Sequence, residues 1–396
     1  MQLNDSKHIY ERAQQLAPEL IAFRRDLHRF PELSCQESRT ASKIVEELRK
    51  LGLEPVTGVG GHGLYADLIG SEPGPTIALR ADIDALPIVE DTQLPFSSEN
   101  PGVMHACGHD AHTTVLLGAV HILVGMKDRL AGRVRFLFQA AEEILVGAKD
   151  MIADGVLEGV DEIYGLHNEP KMPAGLIGTR YGSTMGSTER IEITITGKGG
   201  HAAMPEQCID PIVAASAVVM GLQSAISREM SAFDPAVITI GSFQAGFANN
   251  VISNEAVLLG TVRTFSPEVQ VSMPERIERI VSNISTAYRC ESKVNVLRQV
   301  PVLVNHDSCV KHVEEVIDQV LGREHRVDAK PTLGGEDFAL YLEQRPGCFF
   351  WLGSGPRENA EQAYGLHHAK YVIDEACIPL GSSVLAGIAF RKLSKP

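Results

Sequence analysis

The chain has 396 residues, which is more than one hydrophobic core usually serves, so two domains are expected. Apolar residues make up 44% and charged residues 22% of the sequence, a balance that excludes collagen, low-complexity disorder and fibrous coils. Acidic residues outnumber basic ones by 50 to 36, and the resulting charge of −14 disfavours nucleic acid and anionic membranes as partners, because the field of the protein repels both.

The first part of the chain alternates between helical and strand patterns. Apolar residues at helical spacing predict two helices between residues 8 and 51, with a break at Pro31. Strands are predicted at 76–82, 133–139 and 162–167, and a buried helix is predicted at 113–124. This alternation of strand and helix predicts a layered α/β domain.

The segment 185–296 has a pattern of its own. Its predicted elements are strand 190–197, helix 210–226, strands 236–243 and 255–265, helix 273–288 and strand 292–298. This order is that of the ferredoxin-like split βαβ fold. The α/β pattern then resumes with helix 307–321, strand 348–353 and helix 374–390. The sequence therefore predicts a discontinuous main domain, residues 1–184 and 297–396, with the segment 185–296 inserted as a second domain.

The cysteines and the N-terminal segment favour a cytoplasmic protein. Seven cysteines are scattered at wide spacing, which is typical of a reducing compartment. The first 20 residues lack the apolar stretch of a signal peptide. Apolar runs are too short to predict a membrane span.

The densest group of chemically reactive side chains is the segment HACGHDAH at 105–112, just before the predicted buried helix. Cys107 and His109 can bind one metal ion or bridge two, because thiolate and imidazole are both good ligands for zinc-like cations. A single pair of this kind is more often a buried thiol beside a solvated imidazole. The interpretation of this pair as metal ligands therefore needs support from other parts of the chain.

That support comes from the ends of the predicted strands. The residues concerned are Asp82 and Asp84 after the first strand, Glu142 and Glu143 after the second, His167 at the end of the third, and His367 and His368 after the strand at 348–353. Open α/β sheets bind their ligands at the carboxyl ends of their strands. Several carboxylates and imidazoles at successive strand ends therefore predict a metal-binding crevice.

The motifs HACGHDAHT, AAEE, GLHNEP, GKGGHAAMPE, GTVRTF, GGEDF and LHHAKY, in this order, resemble the aminoacylase family of co-catalytic metallopeptidases. More narrowly, they resemble its amidohydrolase branch of hippurate hydrolases, N-acyl-amino-acid deacylases and hydrolases of indole-acetyl amino acids. The resemblance extends from RRDLHRFPELS at 24–34 to the last predicted helix. It implies a layered α/β metallopeptidase domain with an inserted ferredoxin-like lid, which is often the dimerisation domain.

The resemblance also implies a dinuclear centre of two divalent ions per subunit, zinc, manganese or cobalt. Its ligands would be Cys107, His109, Glu143, His167 and His367. His367 is preferred over His368 because relatives often have LHN or LHS at this place. In sister branches a bridging aspartate takes the place of the cysteine.

The remaining site residues also follow from the resemblance. Glu142 corresponds to the general base, and Asp84 corresponds to the aspartate that orients a metal ligand, while a role for Asp82 stays open. His201 of GKGGH corresponds to the donor that stabilises the oxyanion, frequently in a partner subunit. For the α-carboxylate of the substrate we expect Arg263 of GTVRTF as the partner, with Asn250 as a further polar contact.

The expected function is a metal-dependent amidohydrolase that cleaves small N-acyl-L-amino acids of the acetyl, benzoyl or indole-acetyl type. A homodimer or higher oligomer through the inserted domain is expected. A dipeptidase or carboxypeptidase with the same dinuclear site is the alternative. A cysteine hydrolase with Cys107 as nucleophile would not need the surrounding carboxylates and imidazoles. A binding protein without activity would have no need of Glu142.

Overall fold

A computed structural model describes residues 3–395, which form two compact units. Unit 1 consists of residues 3–182, 304–330 and 340–395, and unit 2 consists of 183–303 and 331–339. The helices are α1 (Leu3–Arg29), α2 (Ser38–Lys50), α3 (His109–Val124), α4 (Gly147–Ala153), α5 (Pro211–Ser227), α6 (Pro267–Ala287), α7 (Asp307–Val320), α8 (Phe338–Leu342) and α9 (Cys377–Leu393). The strands are β1 (Val56–Thr57), β2 (Leu64–Ile69), β3 (Glu72–Asp82), β4 (Ala131–Gln139), β5 (Glu162–Pro173), β6 (Ile177–Thr179), β7 (Gly182–Met185), β8 (Thr188–Thr196), β9 (Gly200–His201), β10 (Ala236–Ala245), β11 (Val251–Ile252), β12 (Glu255–Thr264), β13 (Glu291–Val300), β14 (Leu303–Asn305), β15 (Arg326–Asp328) and β16 (Gly347–Gly355).

Unit 1 is built on an eight-stranded mixed sheet in the order β1-β2-β4-β3-β5-β16-β6-β15. Strands β4, β3, β5 and β16 at its centre are parallel to one another. Helix α3 packs between α1 and α9 and is buried along nearly its whole length, as expected for a helix that is apolar on all sides. The predicted α/β fold class is confirmed.

The centre of this sheet determines where the polar residues meet. Asp82 at the end of β3 pairs with Gln139 at the end of β4, and Arg80 pairs with Gly165 on β5. Two residues beyond this last pair, Asp82 and His167 therefore lie at the same level of adjacent strands. The carboxyl ends of parallel strands form the usual crevice of an α/β sheet.

Unit 2 contains a four-stranded antiparallel sheet in the order β10-β12-β8-β13, against which α5 and α6 pack. Isoleucines 191, 193 and 195 of β8 alternate into its core. Proline occupies the first turn of both helices, and Asp210 and Ser266 accept hydrogen bonds as their N-caps. The chain order β8, α5, β10, β12, α6, β13 matches the predicted split βαβ pattern.

The segment 331–339 belongs to unit 2 although it follows a long stretch of unit 1. The backbone N–H of Gly186 donates to the carbonyl oxygens of Thr332 and Gly334 at 3.0 and 3.1 Å. These hydrogen bonds join residues that are far apart in sequence, so no local pattern indicates them.

None of the helices in residues 3–395 combines the length and apolar character that a membrane crossing requires.

Candidate metal centre

Two groups of three ligand atoms meet at the thiol of Cys107. The first group is Cys107, His109 and His167, and the second is Cys107, Glu143 and His367, each with its atoms within 4.8 Å of one another. Sγ of Cys107 lies 3.3 Å from Nε2 of His167, and Nε2 of His367 lies 3.5 Å from Oε2 of Glu143. Two triads that share one sulfur offer ligands for two neighbouring cations.

The buried polar atoms of this centre are suited to a cation. Nε2 of His109 and Oε1 of Glu143 are buried without a hydrogen-bond partner, which is costly unless another group satisfies them. Burial by itself lowers the pKa of His109, but the carboxylates of Asp82, Asp84 and Glu143 outweigh it and raise that pKa to about 10. The same negative field favours any other cation at this place. Sulfur, imidazole and carboxylate are all ligand types for divalent metal ions in proteins.

Asp84 holds His109 in a fixed orientation. Its Oδ1 lies 3.1 Å from Nδ1 of His109, and its Oδ2 accepts hydrogen bonds from the hydroxyl of Ser34 at 2.7 Å and the backbone N–H of Glu143 at 3.0 Å. Although burial opposes it, the hydrogen bond with His109 is the main reason that the pKa of Asp84 is lowered. A carboxylate on Nδ1 leaves Nε2 of the same ring available as a ligand.

Asp82 contacts the site mainly through a second histidine. Its Oδ1 lies 2.6 Å from Nδ1 of His112, and Nη1 of Arg80 donates to its Oδ2 at 2.7 Å. Asp82, His109 and His112 also bring three ligand atoms within 4.8 Å of one another. However, Nε2 of His112 accepts a hydrogen bond from the backbone N–H of Asn168 at 2.9 Å, so its lone pair is already engaged.

Asn168 connects several parts of the site and was missed by the sequence analysis. Its amide nitrogen donates to the carbonyl oxygen of Cys107 at 2.5 Å, and its amide oxygen accepts from Tyr371 at 2.5 Å and Ser354 at 2.9 Å. Gly108 has a φ of 90°, and a Cβ at this position would lie 2.3 Å from the Asn168 amide nitrogen. The loop that carries Cys107 therefore requires glycine at 108.

The backbone turns sharply between β4 and the two glutamates. Ala141 has a φ of 55°, and its N–H donates to Oε1 of Glu37 at 2.9 Å. Beyond this turn, Oε2 of Glu142 lies 3.9 Å and Oε1 of Glu143 3.7 Å from Nε2 of His109. Both adjacent carboxylates thus face the same imidazole, and the Glu142 side chain is buried.

The two histidines near the C-terminus have different environments. His367 adopts a φ of 63°, and its backbone N–H donates to the carbonyl oxygen of Ala106 at 2.8 Å, which ties it to the loop before Cys107. The ring of His368 instead stacks on Tyr364 with centroids 4.3 Å apart. The imidazole of His367 belongs to a group of ligand atoms with Cys107 and Glu143.

Three predicted site residues belong to unit 2. His201 on β9 pairs with Val251 on β11, is exposed, and accepts a hydrogen bond at Nδ1 from the N–H of Ala203 at 3.1 Å. The exposed Asn250 lies beside it, with its carbonyl oxygen accepting from the N–H of Ala202 at 3.1 Å. The structure therefore brings His201 and Asn250 together at one small two-stranded sheet.

Arg263 lies on β12 in the larger sheet of unit 2. Its guanidinium donates to the hydroxyl of Thr261 and to the carbonyl oxygen of Val262. Burial lowers the pKa of this half-buried side chain, and Glu189 acts in the opposite direction. Within residues 3–395 the hydrogen bonds of its guanidinium go to neutral groups, so the guanidinium can still form charge-assisted hydrogen bonds with an anionic ligand.

Comparison with known proteins gives consistent matches over nearly the full chain. A family profile described as peptidase family M20/M25/M40 matches residues 78–391. N-acetylcysteine deacetylase of Bacillus subtilis is 43% identical over 375 residues, covering 93% of this chain and 96% of the relative. Thermostable carboxypeptidase 1 of Saccharolobus solfataricus is 37% identical over 380 residues, covering 95% and 96%. The crystal structure of the YXEP protein of Bacillus subtilis, described as a dinuclear metal-binding peptidase, has a TM-score of 0.85 at 38% identity and covers 96% of this chain and 99% of its own.

Proposed function

The chain belongs to peptidase family M20/M25/M40, and on this premise we propose that it hydrolyses the amide bond of N-acyl-L-amino acids to a carboxylic acid and a free amino acid. The protein is a metal-dependent hydrolase that acts on amides. The observation that carries the proposal is the pair of ligand triads that share Cys107. The 43% identical relative named as a deacetylase supports an N-acylated substrate.

In this proposal Cys107, His109, Glu143, His167 and His367 hold two divalent ions per subunit, zinc, manganese or cobalt. When bound, such ions polarise the scissile carbonyl group and lower the pKa of the attacking water. Asp84 fixes the orientation of His109, and Asn168 holds the carbonyl group of Cys107. The loops that carry the ligands are therefore positioned before substrate arrives.

Glu142 performs the proton transfers. Its carboxylate accepts the proton of the attacking water and returns it to the nitrogen of the leaving amine, first as general base and then as general acid. Its neighbour Glu143 holds the metal, and the left-handed turn at Ala141 allows adjacent residues to take these two roles. Burial of Glu142 keeps bulk water away from this proton.

The residues of unit 2 are proposed to bind the substrate. His201 donates a hydrogen bond to the oxyanion of the tetrahedral intermediate. Arg263 forms a bidentate pair with the α-carboxylate, and Asn250 adds a polar contact. The exposure of His201 and the neutral hydrogen-bond partners of the Arg263 guanidinium within residues 3–395 support these assignments.

We also propose a cytoplasmic homodimer formed through unit 2. Strand β10 is an edge strand, and exposed edges readily pair with another chain. Val213 and Met220 on α5 and Phe243 on β10 are exposed apolar side chains of the same unit. The seven free cysteines support a reducing compartment. Light scattering of the parent and of Met220→Glu tests the dimer.

The direct test of the function is a substrate screen with controlled metal content. The protein is stripped with a chelator, reloaded separately with manganese, cobalt or zinc, and assayed on N-acetyl, N-benzoyl and N-indole-acetyl amino acids. We expect no turnover by the stripped protein and recovery with at least one metal. Equal turnover with and without chelator would exclude the proposed centre.

A carboxypeptidase or dipeptidase remains the second candidate, because a 37% identical relative is named as a carboxypeptidase. The two functions differ in whether the substrate has a free amino group. Matched pairs such as glycyl-leucine and N-acetyl-leucine distinguish them, and we expect higher kcat/KM for the N-acyl compound. Faster hydrolysis of the free dipeptide would favour the second candidate.

A further inference from the structure

A cavity of about 440 Å³ lies within unit 1, next to the candidate metal centre. Its apolar lining comes from Met172 and Pro173 at the end of β5, Ala329 after β15, and Trp351 on β16. Cavities of this size are in the range that small-molecule ligands fill. Neither the metal ligands nor the proposed general base uses this space.

Trp351 connects the cavity to the centre. It pairs with His167 in the parallel register of β16 and β5, and the two rings have centroids 5.6 Å apart. Only 6% of Trp351 is exposed, so its ring is held in place between the proposed metal ligand His167 and the cavity. A group bound in the cavity would thus contact the same indole ring that contacts the proposed metal ligand His167.

The charges around the cavity decide which part of a substrate it accepts. Its lining includes the carboxylates of Glu169, Asp328 and Glu361 and the ammonium groups of Lys171 and Lys330, a formal balance of −1. This balance gives no advantage to the α-carboxylate of the amino acid. The apolar floor formed with Trp351 instead favours an uncharged apolar group.

We propose that this cavity binds the acyl group of the substrate and selects aryl or medium-chain acyl groups over acetyl. The inference rests on the proposed function, because it assigns a place to one half of that substrate. An acetyl group would contact only a small part of the cavity wall. An arylacetyl group could cover Met172, Ala329 and Trp351, and its binding free energy becomes more favourable with each apolar group that it buries there.

The first test compares kcat/KM for N-phenylacetyl and N-acetyl derivatives of the same amino acid. We expect the phenylacetyl compound to be better by about tenfold or more. Ala329→Leu places extra volume in the cavity and should lower this ratio about tenfold. Ala22→Leu, which adds the same side chain at an exposed position of α1, should keep the parent ratio.

A parent ratio near one would overturn the inference, and so would an Ala329→Leu ratio equal to that of the parent. A loss of equal size for both substrates would also overturn it, because filling an acyl pocket must discriminate between acyl groups. Met172→Phe, a substitution at a half-buried wall position, gives the same test if Ala329→Leu does not fold.

A second test does not depend on turnover. Trp351 is the only tryptophan of the chain, so the tryptophan fluorescence comes from a side chain that lines this cavity. We expect sodium phenylacetate, the acid product, to cause a saturable change that sodium acetate does not cause, and Ala329→Leu to abolish it. A flat titration of an enzyme that hydrolyses N-acyl amino acids would refute the cavity assignment and leave the proposed function standing. A saturable change without any hydrolysis would support the cavity assignment and refute the proposed function.

Discussion

The proposed site residues of the two units are held in very different ways. In unit 1, Asp84 and His109 are almost fully buried, and each has named hydrogen-bond or ion-pair partners. In unit 2, His201 and Asn250 are exposed and are held mainly through backbone pairing and a short loop. A buried polar group without partners is costly, whereas an exposed one is solvated at little cost.

This difference separates two kinds of contribution to the same reaction. Groups fixed by buried hydrogen bonds can hold a cation in a precise geometry. Exposed groups on short strands can act only on molecules that come to them, such as a substrate or another subunit. Substitutions in unit 1 are therefore expected to change the chemical step or the metal content, and those in unit 2 are expected to change substrate binding.

The largest effect is expected for Glu142→Gln. The amide cannot accept the proton of water, so kcat should fall by roughly 10²–10⁴-fold, the usual contribution of a general base. Metal content should stay at the parent level, because Glu142 is proposed to hold no ion. Elemental analysis measures the metal content and steady-state kinetics measure kcat, with Glu46→Gln on the exposed face of α2 as control. Near-normal kcat would reject Glu142 as the base.

The next effect concerns the metal itself. Cys107→Ala removes the sulfur common to both triads and should leave the dialysed protein with at least one metal equivalent fewer than the parent. Cys309→Ala, which removes a buried thiol from α7, is the matched control and should retain full loading. Full loading of the Cys107 variant would remove this residue from the ligand set. Cys107→Asp should recover part of the metal, because carboxylate can also bridge two cations.

Much of the fold could be predicted because its strongest signals are local. The predicted helix at 113–124 is confirmed, but α3 begins four residues earlier, where Gly108 in a left-handed conformation starts it. Helix α6 begins at Pro267 rather than near 273, because Ser266 caps it and Pro274 is tolerated inside. Strand β2 was missed, although its alternating burial from Leu64 to Leu68 is typical of a strand.

For the site, single-residue chemistry was easier to predict than the contacts that hold it. His109 and Glu143 could be selected because imidazole and carboxylate at strand or helix ends are typical metal ligands. The roles of His112 and Asn168 depend on hydrogen bonds between residues 56 positions apart, which no periodicity indicates. One local signal was available, since His112 is three residues after His109 on the same helix.

The predicted effect on substrate binding is smaller and concerns unit 2. Arg263→Gln should raise KM about 10- to 100-fold for N-acyl amino acids, because a hydrogen bond to a charged group contributes about 1.5–3 kcal/mol. Metal content should not change. The α-carboxamide of the same substrate is the control, since it lacks the anion and should bind the parent and the variant equally. A fall in metal content on this substitution would contradict the division between the units.

The smallest effect on activity is expected for a buried histidine of unit 1 that is not a proposed metal ligand. His312 on α7 has its Nε2 3.0 Å from the carbonyl oxygen of Ile388, and burial lowers the pKa of this imidazole to about 4. The unfolded chain therefore binds more protons than the folded chain between about pH 4 and pH 6.5. Stability contributed by the neutral imidazole is fully present above pH 6.5 and is lost as the pH falls towards 4, by up to about 3 kcal/mol.

His312→Gln should flatten this part of the pH dependence of the unfolding free energy, measured by urea denaturation at several pH values. His8→Gln, at an exposed position of α1 in the same unit, should keep the parent dependence. Activity and metal content near pH 7 should be unchanged in both variants, because neither histidine is among the proposed metal ligands. If His312→Gln also released metal, the burial of a residue that is not a proposed ligand would affect metal binding. The contrast between the two units would then include residues of unit 1 beyond those around Cys107.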